Sequence, residues 1–247
     1  NIASAEINPC EKVNIILGQN AQGKTNLLEA IWILTGNKSF RGARENQMIP
    51  FGEEVFRVEA SFKDREREQF LSFTGGEKKR KILLNGMPLK SPSELSGVFP
   101  AVIFDPTGLS IVQDGPGERR KFLDDAISNI QPSYAKYLSQ YQAVLEQRNA
   151  LLRDGMRYEQ FRDTLDVWDL QLAKLGTILS ILREDYLKKL KPAAAEIYGG
   201  FTGFSEAFSA EYESSVFEEG TALTAYTDEL IEQFFAVLKE SRELDRR

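Results

Sequence analysis

The sequence has no histidine, one cysteine and no long apolar run, and each of these shortages removes a class of chemistry. Without an imidazole there is no side chain whose ordinary titration falls near neutral pH, and the usual zinc sites are excluded. Cys10 alone cannot close an internal disulfide. No stretch approaches the about 18 uninterrupted apolar residues of a membrane span, and no basic segment followed by an apolar run marks the amino end. Neither membrane insertion nor export is indicated, and the expected compartment is the cytoplasm. Internal repeats and low-complexity tracts are also missing. Chemistry is left to carboxylates, lysine, hydroxyls and the backbone.

What is present is a chain of 247 residues, 42% hydrophobic and 11% aromatic, enough to bury the core of one large domain or two modest ones. The net charge of −6 argues against a surface that binds nucleic acid everywhere, and leaves room for a local basic face. The chain starts at Asn1 and stops in the charged segment SRELDRR, so both ends read as cut.

Residues 12–17 (KVNIIL) form a β-rich apolar run that turns directly into GQNAQGKT. The following NLLEAIWILTG carries Leu27, Leu28, Ile31 and Leu34 at helical spacing. This predicts a strand, a glycine loop and a helix of about three turns, ended by Gly36 in a left-handed cap. Residues 55–62 alternate strictly, with Phe56, Val58, Ala60 and Phe62 on one face, which predicts a half-buried strand. FLSFTGGEKKRKILL and the Asn85-Gly86 pair predict successive antiparallel hairpins, because Asn-Gly favours the type I′ turn. Residues 98–104 (VFPAVIF) add a further predicted buried strand.

The composition shifts near Pro116, dividing a domain at 1–115 from a helical one at 116–247. Apolar residues recur at Tyr134, Leu138, Tyr141, Leu145 and Leu152, and again at Phe161, Leu165, Trp168, Leu172, Leu175, Leu179, Leu182, Tyr186 and Leu190. The two series predict antiparallel helices over about 133–153 and 158–191, an arm whose longer member spans roughly 45 Å. Gly176 is expected to weaken that helix by about 1 kcal/mol relative to alanine. An aromatic strand-like stretch, FSAEYESS at 208–215, then precedes a last amphipathic helix at about 222–244.

Gly18-Gln19-Asn20-Ala21-Gln22-Gly23-Lys24-Thr25 fits the phosphate loop G-x-x-x-x-G-K-[ST] at each fixed position and lies between a predicted strand and a predicted helix. Amides of such a loop, with the positive end of the next helix, wrap a phosphate. Lys24 supplies a point charge for the β and γ oxygens, and the Thr25 hydroxyl suits a Mg²⁺ ligand. Hydrolysis calls for an acidic residue ending a neighbouring strand. Asp105 in VIFDP and the pair Asp124 and Asp125 in KFLDDAIS imitate that element without its context. Pro106 marks a turn after Asp105, and the pair falls in a helix where it would ion-pair with Arg119, Arg120 or Lys121. TGGEKKR at 74–80 imitates a serine-glycine-glycine signature but lies between two strands and reads as a hairpin turn. Basic clusters at Lys38, Arg41 and Arg44 and at Arg119 to Lys121 are solvated charge on the plain reading, and DNA-backbone contacts if they border the nucleotide lobe.

Taken in order, NIILGQNAQGKTNLLEAI, SFRGAR, VIFDP, GPGERRKFLDDAIS, YLSQYQAVLEQRNALL and RELDRR resemble the RecF family across essentially the whole chain. The phosphate loop with NLLEAI is common to SMC-like ABC-type ATPases, whereas SFRGAR and QRNALL are far more specific to RecF. The resemblance implies an α/β fold of the phosphate-loop ABC/SMC ATPase head, a mixed sheet with antiparallel hairpins, and a helical arm lobe. It also implies ATP and Mg²⁺ at Gly18 to Thr25, an ATP-dependent homodimer on double-stranded or gapped DNA, and recombination mediator proteins as partners in repair and the SOS response. RecF-like proteins have a strand before residue 1, and past Arg247 a signature motif, an acidic metal-binding strand and a late histidine. The expectation for these 247 residues is therefore weak nucleotide binding with little or no hydrolysis. Two other readings fit a phosphate loop: a small-molecule kinase, and a partner-docking module in which the loop is inert.

Overall fold

The computed structural model describes residues 2–64, 67–77, 80–104, 111, 115–155 and 160–245. The chain divides into two compact units, Asn1–Glu118 with Ser128–Pro132, and Arg119–Ile127 with Ser133–Arg247.

The first unit contains helix α1 (Lys24–Ile33) and strands β1 (Val55–Asp64), β2 (Arg67–Gly76), β3 (Lys81–Leu84) and β4 (Met87–Leu89). The strands form an antiparallel sheet in the order β1-β2-β3-β4, with Val55 opposite Gly76 and Asp64 opposite Arg67 at the two ends of the first ladder. Alternation dictates this register, since a slip by one residue would turn Phe56, Val58, Ala60 and Phe62 to the solvent face. Asn85 and Gly86 have φ of 51° and 79°, the geometry of the predicted type I′ turn. The Asn85 side chain also accepts from the Phe70 amide at 2.8 Å, tying the turn to β2.

Ile33 and Leu34 from the end of α1 join Phe56, Leu71, Phe73, Ile82 and Leu95 in the core, where each full burial contributes roughly 1.5–3 kcal/mol. Gly36 has φ +85° and ends the helix as predicted; a Cβ there would also stand 2.3 Å from the Pro92 carbonyl oxygen. The apolar face of α1 differs from the predicted one: Leu28 and Ile31 are exposed, while Trp32 and Ile33 are buried.

Two predicted strands are not formed. Residues 12–17 and 98–104 make no ladder, and Val13, Ile15, Leu17, Val102 and Phe104 are exposed. β-propensity marks an extended apolar segment, but a strand exists only with a partner, and no partner for either run occurs among the described residues.

The second unit is helical. It is built on α2 (Pro116–Ile130), whose ends count with the first unit, and on α3 (Pro132–Gly155), α4 (Gln160–Thr202) and α5 (Asp228–Asp245). Leu165, Leu172 and Leu179, seven residues apart, are buried as the seam predicted. The long helix runs eleven residues past its predicted end, through Pro192, Gly199 and Gly200, for about 65 Å at ~1.5 Å per residue. One proline removes one backbone bond, a cost that forty-three residues of otherwise continuous helix absorb. Residues 208–215 form no strand. The last helix starts at Asp228 rather than about 222, where the Thr227 hydroxyl caps the Leu230 amide at 3.4 Å. Among the described residues no helix is long and apolar enough to cross a membrane.

Gly176 is where α4 meets its neighbours. A Cβ at that position would fall 2.3 Å from the Phe234 ring of α5 and 3.2 Å from the Tyr141 ring of α3. Helix propensity alone assigns alanine an advantage of about 1 kcal/mol. The structure reverses the sign: Gly176→Ala is expected to destabilise by about 1–3 kcal/mol through overpacking, measured by urea denaturation. A stabilised variant would show that Phe234 moves aside freely.

Candidate phosphate-binding site

The segment Gly18–Thr25 folds as a loop leading into α1. Ala21 and Gly23 take positive φ, 66° and 92°, so the chain winds back on itself before the helix begins. Gln22 braces the loop from within, its Oε1 accepting from the Gln19 amide at 3.2 Å. A Cβ on Gly18 would approach the same oxygen to 2.9 Å, which gives that glycine a steric reason.

The Lys24 ammonium arches back over the loop and donates to the carbonyl oxygens of Gly18 at 2.7 Å and Gln19 at 2.6 Å. The first hydrogen bond of α1 joins the Leu27 amide to the Gly23 carbonyl at 3.0 Å, and no side chain caps Gly23. The leading amides of α1 therefore lie beside the lysine without a side-chain acceptor, a concentration of positive potential suited to an anion. Thr25 is exposed in the same first turn.

A row of side chains on α1 fastens the next segment. Asn26, Glu29 and Trp32, three residues apart, share one helical face. Trp32 Nε1 donates to the Lys38 carbonyl at 2.9 Å. The buried Glu29 carboxylate accepts from the Ser39 hydroxyl, whose oxygen in turn accepts from the amides of Arg41 at 3.1 Å and Ala43 at 3.2 Å. Arg41 Nη1 reaches Asn26 Oδ1 at 3.0 Å and Glu29 Oε2 at 3.5 Å.

Of the other residues singled out in the sequence, Lys38 and Arg44 are exposed in the first unit, and Arg119 and Arg120 are exposed on α2 in the second. Asp105 lies outside the described residues. Asp124 does not pair with its basic neighbours on α2: it accepts from Tyr134 and from Arg183 at 2.9 and 3.0 Å. That geometry gives it a fixed structural task, and burial pushes the Tyr134 hydroxyl well above its ordinary pKa. Thr74 to Gly76 belong to β2 and Lys81 opens β3, so TGGEKKR joins two strands as expected, with Lys78 and Lys79 outside the described residues. Arg80 beside them pairs with Glu45 at 3.1 Å.

Sequence reasoning passed over Asn26, Glu29 and Ser39. Their spacing of three on a helix was readable, but nothing in it told which face would be covered by the segment that follows.

Comparison with known proteins places this geometry in context. The sequence matches the AAA domain family over residues 2–197. It is 36% identical over 236 residues to the DNA replication and repair protein RecF of Clostridioides difficile, covering 95% of this chain and 62% of that protein. Against RecF of Chlamydia trachomatis it is 36% identical over 208 residues, covering 84% and 55%. Structures of the recombination mediator protein RecF in the RecFOR pathway, described as RecF-ATPrS and RecF-ATP, superpose with TM-scores of 0.88 and 0.85 at 34% identity, covering 97% of this chain and 64% of theirs. The chain thus spans less than two thirds of the length of these relatives.

Proposed function

Since the chain belongs to the AAA domain family and resembles RecF along nearly its whole length, we propose that it is an ATP-binding part of a DNA replication and repair protein. The observation that carries this reading is the Lys24 ammonium held across the loop mouth, beside helix amides that no side chain caps. Gly18 to Thr25 would hold the triphosphate: amides of the loop and of α1 toward the β-phosphate, Lys24 exchanging its carbonyl partners for β and γ oxygens. An exposed hydroxyl on the first helical turn fits Mg²⁺, which takes few protein oxygens when phosphates and water complete its shell, so Thr25 is the residue that would hold it. The ion would neutralise the phosphate charge. Thr25 contributes one oxygen and Lys24 the fixed cation opposite it.

On this reading ATP drives a second copy of the chain to associate on double-stranded or gapped DNA, in the cytoplasm, with recombination mediators as partners. The exposed Lys38, Arg44, Arg119 and Arg120 are the candidates for phosphate-backbone contact. Sedimentation velocity tests it: ATP and duplex DNA together are expected to convert monomer to dimer, and a panel of small phosphate acceptors to have no effect. Turnover on a small acceptor, with DNA inert, would support a kinase instead. Nucleotide binding lost in Lys24→Ala but present in the unsubstituted protein would exclude the inert-loop module.

A further inference from the structure

The turn that joins β3 to β4 holds the one Asn-Gly pair of the sequence, a labile dipeptide whose side chain is bonded in an unusual way. Asparagine before glycine loses its side-chain nitrogen readily, because the next residue has no side chain to obstruct attack by its own backbone nitrogen. Asn85 and Gly86 are both exposed, and a Cβ on Gly86 would meet nothing within 4 Å, so no neighbour crowds the reaction. Closing the imide ring needs an Asn85 ψ of about −120°, the value of a type II′ turn, whereas a type I′ turn holds about +30°. The two turns differ by a flip of the central peptide. Asn85 already has the positive φ, 51°, that both share, and glycine accepts φ of either sign, so the backbone stands one peptide flip from the reactive form.

The side chain is what is held. Asn85 Oδ1 accepts from the Phe70 amide at 2.8 Å and Nδ2 donates to Gln69 Oε1, so both polar atoms of the carboxamide are fastened to β2. The Asn85 amide adds a backbone bond to the Phe70 carbonyl at 2.8 Å. A carboxamide fastened to the neighbouring strand is not free to meet the Gly86 nitrogen. We propose that Asn85 is a deamidation site gated by its tie to β2: Gln69 and Phe70 keep it inert, and release of the tie starts the reaction. The Gly86 nitrogen gives up its proton and bonds to Asn85 Cγ, the Cγ–Nδ2 bond breaks, and the nitrogen leaves as ammonia. Water then opens the imide at either carbonyl and leaves aspartate or isoaspartate. Aspartate keeps an acceptor for the Phe70 amide but has no donor for Gln69. Isoaspartate adds a methylene to the backbone of a two-residue turn, so the β3–β4 register is lost with it.

The test incubates purified protein at mildly alkaline pH and follows each asparagine by peptide mass spectrometry, with isoaspartate counted by enzymatic methylation. Asn85 is expected to deamidate at least about tenfold more slowly in the folded protein than in the same chain unfolded in guanidinium chloride. Gln69→Ala is expected to speed the folded reaction by about two- to tenfold, the worth of one hydrogen bond, and to leave the unfolded rate unchanged. Gln69→Glu, which keeps an acceptor for Nδ2, should stay near the rate of the unsubstituted protein. Hydrogen exchange of the β2–β3 ladder amides is expected to be the same in all three proteins. Equal rates in the folded and unfolded chain, a Gln69→Ala variant as slow as its parent, or a Gln69→Glu variant as fast as Gln69→Ala would overturn the proposal. Faster ladder exchange that accounts for the whole rise in Gln69→Ala would overturn it too, by assigning the protection to the sheet.

Discussion

Asp169→Ala is expected to destabilise the helical unit by about 3–5 kcal/mol. Asp169 is fully buried on α4 and accepts from Arg148 Nε at 2.5 Å and from Arg242 Nε at 2.7 Å. Arg148 on α3 is itself 2% exposed, and its other donors reach Asp245 at 2.8 Å and the Leu238 carbonyl at 3.1 Å on α5. One carboxylate thus joins three helices. Removing it leaves Arg148 with Asp245 and Arg242 with Asp166, two carboxylates far more exposed than Asp169, so buried guanidinium charge is left only partly compensated.

Asp166 provides the contrast. It pairs with Arg242 at 2.5 Å and Lys239 at 3.1 Å from a largely exposed position, where solvent screens the pair, and Asp166→Ala should cost far less. The Arg242 hydrogen bond holds the Asp166 carboxyl below its usual range, so its small contribution is present above that range and fades as pH falls through the lowered value. The two tryptophans make the measurement specific, since Trp32 lies in the first unit and Trp168 in the second. Urea denaturation of a Trp32→Phe background reports the helical unit through Trp168. A loss under about 1 kcal/mol for Asp169→Ala would show that the network is stabilised elsewhere.

Lys24→Ala should abolish ATP binding, with at least a hundredfold loss, about 2.7 kcal/mol or more, while leaving the melting temperature nearly unchanged. The two effects separate because of where the ammonium sits. Its partners, the Gly18 and Gln19 carbonyls, are exposed, so water replaces the lysine at little cost to the fold. No other cation reaches the loop's own carbonyls among the hydrogen bonds of the described residues, so a triphosphate loses its nearest fixed charge. Calorimetric titration gives the affinity and a thermal scan the melting temperature, and an unchanged affinity would place the nucleotide elsewhere.

Much of this arrangement was legible beforehand where one local rule decides the outcome. The turn of the chain into α1 rests on glycines at fixed positions, the Asn85-Gly86 turn on residues that tolerate positive φ, and the Leu165, Leu172 and Leu179 seam on helical period. The sequence misled where the outcome depends on distant partners. Residues 12–17 and 98–104 have strand composition but no ladder. Gly176 scores as a weak helical residue, yet its missing side chain lets Phe234 approach. Asp169 and Arg148, which the sequence analysis did not single out, are the most deeply buried ions among the described residues of the second unit, because a third helix, far along the chain, covers them. Glu29 was hidden for the same reason on a smaller scale: its partner, Ser39, lies ten residues on, across a turn.

The central claim is that Gly18 to Thr25 closes around a triphosphate. Magnesium-ATP titrated into isotope-labelled protein, followed by amide resonances, tests it directly: saturable shifts are expected to concentrate on the amides of Gly18–Thr25 and the first turn of α1, and to vanish in Lys24→Ala. Shifts centred on another part of the chain, or a folded protein whose loop amides do not respond, would contradict it.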